Sequence, residues 1–102
     1  MKELDQHTWK TNLEKADNAT IIDVRTEEEY NDGHIPGAKL IDVQDPQNFM
    51  AHIEKLSKEG NYYIYCNSGN RGNQACLVMD HNGFKQVANL EGGYQAWEGE
   101  TE

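Results

Sequence analysis

The hydrophobic positions alternate between two periods along the chain, and this alternation predicts an α/β fold. Four short apolar runs have the composition of β-strands, at residues 19–24, 39–41, 62–66 and 85–90. The first of them, ATIIDV, is an almost unbroken apolar stretch, as expected for a strand buried on both faces. Strands separated by helices at this spacing predict right-handed crossovers and a parallel sheet with helices on both faces.

The segments between the strands carry helix signals. An amphipathic pattern predicts a first helix within residues 4–16. Thr26 followed by Glu29 is a capping box, and Asp45 before Pro46 is an N-cap followed by proline at the first helical position. The apolar anchors of the first helix are Leu4, Trp9 and Leu13. Those of the helix that starts at Pro46 are Phe49, Met50, Ile53 and Leu56.

The last third of the chain predicts one more helix and a final turn. Residues 72–81, GNQACLVMDH, have helical character and are followed by Asn82-Gly83, which is typical of a left-handed helix cap. A last turn of helix is expected around Trp97. In parallel sheets of this kind, ligands bind where strands end and loops enter helices, and Cys66 lies at such a position.

Length and composition favour one soluble domain. The chain of 102 residues is expected to form a single domain over 1–102, with the acidic tail 98–102 frayed. A net charge of −9 argues against nucleic-acid binding, since a uniformly acidic surface repels phosphates. No apolar run is long enough to span a membrane and the first residues do not resemble a secretory signal, so we expect a cytoplasmic location.

Cysteines and histidines do not form a metal-binding pattern. Cys66 and Cys76 are not in a C-x-x-C pair, and the four histidines are scattered along the chain. We therefore expect no metal site and no disulfide, which suits a reducing compartment.

The segment YYIYCNSGNRG suggests a reactive thiol. An apolar strand stops at Cys66, and the loop that follows has an amide donor at every position. Glycines and asparagines tolerate the positive φ angles that turn successive N–H groups inward into an anion nest. Arg71 and the start of a helix add positive charge, so the loop favours an exposed thiolate or an anion attached to the sulfur. The loop consists of Asn67, Ser68, Gly69, Asn70, Arg71 and Gly72.

Cys76 has a different expected role. It lies ten residues further on, within the predicted helix, at about 15 Å along the helical rise. A disulfide needs Cα atoms within about 7 Å, so we expect Cys76 to pack in the core.

Three motifs resemble the rhodanese family of sulfurtransferases. IIDVRTEEEYNDGHIPGAKLI at 21–41 is similar to the family signature, YIYCNSGNRG at 63–72 to its active loop, and NLEGGYQAW at 89–97 to its carboxy-terminal segment. Gly72 departs from the family pattern, which often has serine or alanine there. The resemblance implies a rhodanese-like α/β fold with a central, mostly parallel five-stranded sheet and helices on both faces.

The resemblance also implies an activity. Cys66 would be the nucleophile that takes a sulfane sulfur from a donor such as thiosulfate and passes it, as a persulfide, to cyanide or a thiol. Amides of residues 67–72 would stabilise the outer sulfur, and Arg71 would orient an anionic donor. No cofactor is implied, and the partners would be small sulfur compounds or a protein in a sulfur relay.

Other motif residues are expected to be structural. Arg25 would pair with Glu28 or Glu29, and His34 would make structural hydrogen bonds, since transfer from an ionised thiol needs no base. Gly92 and Gly93 would let the backbone pass close to the active loop, and Trp97 would belong to the core.

Two alternative functions remain open. The active loops of cysteine phosphatases and arsenate reductases look like C-x5-R, with five residues between the cysteine and the arginine. Here four residues separate Cys66 from Arg71, so the loop forms a smaller ring around the thiol. A persulfide carrier or binding module serving a partner protein is the second alternative, and the acidic surface would suit a basic partner.

Overall fold

Five strands form one sheet in the computed structural model, which describes residues 1–102. In chain order the strands are β1 Lys2–Leu4, β2 Ala19–Asp23, β3 Lys39–Leu40, β4 Asn61–Tyr65 and β5 Gln86–Leu90. Their order across the sheet is β1-β5-β4-β2-β3, and every neighbouring pair is parallel. The predicted α/β fold is therefore confirmed, with a sheet that is wholly rather than mostly parallel.

Three of the four helices begin at a side chain that caps them, and the last helix begins after Gly69, which makes no side-chain cap. The helices are α1 Gln6–Lys15, α2 Glu27–Asp32, α3 Pro46–Ile53 and α4 Asn70–His81, followed by a 3₁₀ turn at Tyr94–Ala96. The capping box is present, because the Glu29 amide donates to Thr26 Oγ1 at 3.3 Å and the Thr26 amide donates to Glu29 Oε1 at 3.1 Å. The Asp45 side chain accepts a hydrogen bond from the Asn48 amide. Gly83, with a φ of 91°, follows the end of α4.

Alternate strand residues supply two hydrophobic cores, one on each face of the sheet. On one face, Ile64 and Cys66 contact α3 and α4 through residues such as Phe49 and Met79. On the other face, Tyr63 and Tyr65 lie in a second cluster around Trp9 of α1, which is fully buried. This alternation is the two-residue period of a strand covered on both sides.

One feature differs from the sequence-based expectation. Leu4, expected as a helix anchor, lies in β1, and α1 begins only after the N-cap Asp5. In the tail 98–102, Glu102 and His34 exchange backbone hydrogen bonds of 2.8 and 3.2 Å. No helix of the structure has the length and apolar character needed to cross a bilayer.

Candidate active site

Cys66 lies at the carboxyl end of the central strand β4. Tyr65, the last residue of this strand, is opposite Asp23 at the end of β2, and Ile64 is opposite Asn89 near the end of β5. The loop 66–69 then leads into α4, whose N-cap is Gly69. The thiol is therefore held at the sheet edge where parallel α/β folds bind ligands.

The sulfur of Cys66 accepts a hydrogen bond from the loop itself. Gly69 has a φ of 108° and a ψ of −19°, a left-handed conformation that favours glycine. This conformation directs its amide to Cys66 Sγ, with 2.9 Å between the nitrogen and the sulfur. The amides of the other loop residues, 67, 68 and 70–72, have no acceptor within the protein. The loop thus has one amide donor on the sulfur and five further amides without an acceptor.

Cys66 is fully buried, whereas the sequence suggested an exposed sulfur. Ser68 and Asn70 are exposed, and Asn67 and Gly69 are half-buried, so the loop covers the thiol. The main surface clefts are lined by residues outside the segment 66–72. The thiol therefore does not open into any of these clefts.

The segment 93–95 holds the backbone of Cys66 and Asn67 in place. Tyr94 donates its amide to the Cys66 carbonyl at 2.8 Å, and Gln95 donates to the Asn67 carbonyl at 3.0 Å. Gly93 has a φ of 63°, and a Cβ there would lie 2.6 Å from the Cys66 oxygen. Only glycine permits this approach, as expected from the sequence.

Arg71 is bound to Glu29 of α2. Its Nη1 and Nη2 lie 2.6 and 2.8 Å from the two carboxylate oxygens, a bidentate pair. The pKa of Glu29 is lowered to about 2, mainly because its carboxylate accepts hydrogen bonds from Arg71. The same hydrogen bonds raise the pKa of Arg71, and the charge of Cys66 acts in the same direction. The guanidinium therefore stays charged near the thiol, but Glu29 already occupies two of its donors.

Arg25 does not pair with Glu28 or Glu29, as the sequence suggested. It pairs with Asp23, with 2.8 Å between Arg25 Nη2 and Asp23 Oδ2, and both side chains are buried. The Tyr65 hydroxyl donates to the same carboxylate at 2.6 Å, and the Tyr94 ring lies 4.4 Å from the Arg25 guanidinium. This buried cluster ties the ends of β2 and β4 together beneath the site.

His34 has structural contacts. Its ring stacks on Tyr30 at 3.8 Å, and its Nδ1 lies 3.0 Å from the Tyr30 carbonyl oxygen. On the opposite side, Nε2 is 3.6 Å from a carboxylate oxygen of Glu102. These contacts agree with the structural role expected for His34.

Cys76 lies in the core of the α3 and α4 face. It is fully buried, and this burial is the main reason that the pKa of its thiol is raised well above the ordinary value. Cys66 and Cys76 are both free. Cys76 therefore packs as a small apolar side chain, as expected.

Sequence reasoning missed two residues that contact the loop. The sequence predicts Glu28 or Glu29 as the partner of Arg25, whereas Glu29 binds Arg71, 42 positions away. Asn89 is fully buried in β5 and donates to the Gly69 carbonyl at 3.0 Å. The only sequence signal for Asn89 is a polar residue inside the apolar run VANL.

No metal centre is apparent at the site or elsewhere. The structure has no cluster of three or more histidine, cysteine, aspartate or glutamate side chains arranged to hold a metal ion. The donors around Cys66 are amides and a guanidinium, which suit an anion rather than a cation.

Comparison with known proteins agrees with this geometry. A family model described as "Rhodanese-like domain" matches residues 5–100. The chain is 41% identical over 101 residues to the Bacillus subtilis protein named "Putative sulfurtransferase YtwF", covering 99% of this chain and 94% of that protein. It is 33% identical over 100 residues to "Putative sulfur carrier protein YrkF" of the same organism, covering 98% of this chain and 52% of that longer protein.

A solved structure shows the same architecture. The crystal structure of a rhodanese-like domain protein from Staphylococcus aureus superposes with a TM-score of 0.82 and 34% sequence identity, covering 98% of this chain and 94% of that one. The motifs, the strand order and the match over nearly the whole chain lead to one conclusion: the chain belongs to the rhodanese-like domain family.

Proposed function

We propose that this protein is a sulfurtransferase that carries a sulfane sulfur on Cys66. The observation that supports this most directly is the 2.9 Å hydrogen bond from the Gly69 amide to Cys66 Sγ. A donor aimed at sulfur stabilises the thiolate more than the thiol, since the hydrogen bond strengthens when the acceptor is charged. Relatives named as sulfurtransferases support the same reaction class.

The reaction has two displacement steps. The Cys66 thiolate attacks the outer sulfur of thiosulfate, a sulfur–sulfur bond forms, and the bond to the departing sulfite breaks with its electron pair. Cyanide or a thiolate then attacks the outer sulfur of the Cys66 persulfide and leaves with it, which restores the thiolate. With a thiolate acceptor, the sulfur leaves as a persulfide. Electrons and charge balance in each step, so no redox partner is needed and ping-pong kinetics follow.

The loop residues have defined roles in this proposal. The amides of Asn67, Ser68, Gly69, Asn70 and Gly72 stabilise the negative outer sulfur, and Arg71 orients an anionic donor. Arg71 keeps three N–H groups beyond the two that bind Glu29. No general base is required. We place the protein in the cytoplasm, where its unpaired thiols would stay reduced.

The intact mass of the protein after thiosulfate treatment tests the proposal. We expect wild type to gain the mass of one sulfur atom and to lose it on addition of cyanide. Cys66→Ser should gain nothing, and Cys76→Ser is the matched control that should behave as wild type. Sulfur retained by Cys66→Ser and lost by Cys76→Ser would contradict the site assignment.

A persulfide carrier serving a partner protein is the second candidate. The neutralisation of Arg71 by Glu29 favours it, because a small dianion gains little from a cation that is already paired. A relative named as a sulfur carrier supports the same idea. Sulfur uptake from thiosulfate can be compared with uptake from a persulfidated protein at equal concentration. Faster uptake from thiosulfate would contradict the carrier.

A further inference from the structure

Asn89 is an unusual residue for its position. It lies in β5 between Ala88 and Leu90, within a strand packed on both faces, and its side chain is fully buried. A buried amide costs free energy unless all of its polar atoms have partners. An apolar side chain would avoid that cost, so the contacts of Asn89 call for an explanation.

The amide nitrogen of Asn89 connects β1 to the active loop. Nδ2 donates to Glu3 Oε1 at 2.7 Å and to the Gly69 carbonyl oxygen at 3.0 Å. Glu3 is the direct neighbour of Asn89 in the parallel β1–β5 ladder. Gly69 is the residue whose own amide donates to Cys66 Sγ. A chain of hydrogen bonds thus runs from β1 through Asn89 to the residue that contacts the sulfur.

The amide oxygen of Asn89 explains the glycine at position 72. Oδ1 is buried and has no hydrogen-bond partner. A Cβ built on Gly72 would overlap this oxygen and would lie 3.1 Å from Asn89 Cγ. Gly72 lies inside α4 and does not have a positive φ, so its backbone alone does not require glycine. The Asn89 side chain requires it.

We infer that Asn89 is a positioning residue that fixes the left-handed conformation of Gly69. Glycine at position 72 leaves the space that the side-chain amide of Asn89 needs. This inference rests on the proposed function for its relevance to sulfur transfer. Asn89 does not touch Sγ and acts through Gly69. The buried, unpaired oxygen is the consequence of directing Nδ2 to two acceptors at once.

A double-mutant cycle tests the steric part of the inference. Alanine is a better helix former than glycine, so position 72 would tolerate alanine if no side chain stood in its way. We expect Gly72→Ala to lower the melting temperature in wild type, because Asn89 must move. In the Asn89→Ala background the same change should leave the melting temperature unchanged or raise it. Equal effects of Gly72→Ala in both backgrounds would overturn the coupling.

The reactivity of Cys66 tests the positioning part. The pH midpoint of iodoacetamide labelling, read at the Cys66 peptide by mass spectrometry, reports the hydrogen bond to Sγ. Asn89→Ala should raise this midpoint and slow sulfur uptake about tenfold. Asn61→Ala is the control, since Asn61 Nδ2 donates to the Asp17 carbonyl near the amino ends of the strands. Equal midpoints and uptake rates in Asn89→Ala and Asn61→Ala would overturn the inference.

Variants of Glu3 provide a second test of the inference if Asn89→Ala does not fold. Glu3 is exposed, so its variants leave the core intact. Glu3→Ala removes one acceptor of Asn89 and should slow sulfur uptake about threefold, whereas Glu3→Gln keeps an acceptor oxygen and should restore the rate. A rate for Glu3→Ala equal to wild type would contradict the inference.

These experiments separate the inference from the proposed function. If wild type takes sulfur from no donor, the proposed function fails, but the labelling midpoint and the double-mutant cycle still measure the positioning by Asn89. If wild type takes sulfur and the Asn89 and Glu3 variants match it in rate and midpoint, only the inference fails.

Discussion

Arg71 and Glu29, 42 residues apart, form a two-point ion pair beside the Cys66 loop, with distances of 2.6 and 2.8 Å. The pair joins the first turn of α4 to α2. Under the proposed function, the pair also sets the charge that an incoming donor meets. A guanidinium with a carboxylate attached attracts a dianion much less than a free one does.

Removing the Glu29 charge is expected to improve the binding of anionic donors. Glu29→Gln keeps the shape of the side chain but leaves the Arg71 charge uncompensated. We expect the KM for thiosulfate to fall about fivefold, equivalent to about 1 kcal/mol. Glu28→Gln, on an exposed neighbour in the same helix, removes the same charge and is the control. Equal changes in KM for the two variants would show that only the overall charge matters.

The same pair is expected to make stability depend on acidity. The pKa of Glu29 is lowered on folding from 4.5 to about 2, mainly by the hydrogen bonds from Arg71. A carboxyl with a lowered pKa stabilises the fold above its unfolded pKa, and this contribution is lost as the pH falls from about 4.5 to about 2. With solvent screening at this half-buried site, the loss should be about 1–2 kcal/mol.

Urea unfolding at pH 7 and pH 3 measures this contribution. Wild type should lose more free energy of unfolding between the two pH values than Glu29→Gln does. Identical losses in the two proteins would mean that the ion pair adds nothing to stability.

Arg71→Ala is expected to discriminate between donors by charge. Arg71→Ala leaves the Glu29 carboxylate without its cation and removes the guanidinium N–H groups that Glu29 does not occupy. The uncompensated carboxylate repels a dianion, so the KM for thiosulfate should rise at least about tenfold. The KM for a neutral organic trisulfide should change much less. Steady-state kinetics with both donors checks this, and equal losses for both would contradict an orienting role for Arg71.

The buried pair beneath the site is expected to be important for stability. Asp23→Ala leaves the buried Arg25 guanidinium without its carboxylate, at a cost of about 3–5 kcal/mol. Glu59→Gln, which breaks the exposed pair with Lys85, should cost less than about 1 kcal/mol. Chemical denaturation of both variants measures the difference. A small cost for Asp23→Ala would mean that water reaches Arg25.

Local signals in the sequence predicted most of the fold. Capping residues such as Thr26 and Asp45 placed the helix starts, since a cap acts on amides only two or three residues away. The strand β1 was missed, because Lys2–Leu4 is short and polar and is defined only by its pairing with β5. Propensity cannot detect a strand that depends on a partner more than eighty residues away.

The site was predictable where it depends on the loop and unpredictable where it depends on long-range contacts. Gly69 takes the left-handed conformation that glycine allows, and its amide meets Cys66 three residues before it. The sequence predicts the wrong partner for Arg25, because several acidic residues follow it closely, and no partner for Arg71, because Glu29 lies 42 positions away. The burial of Cys66 was also missed, since burial is set by the loop and by α4 together.

The contacts of the Cys66 and Asn67 carbonyls with Tyr94 and Gln95 have a consequence for synthesis of the protein. A polypeptide that ends after β5 lacks both of these amide donors. The backbone of the Cys66 loop is therefore fully supported only once the segment through residue 95 has been made and has folded against it.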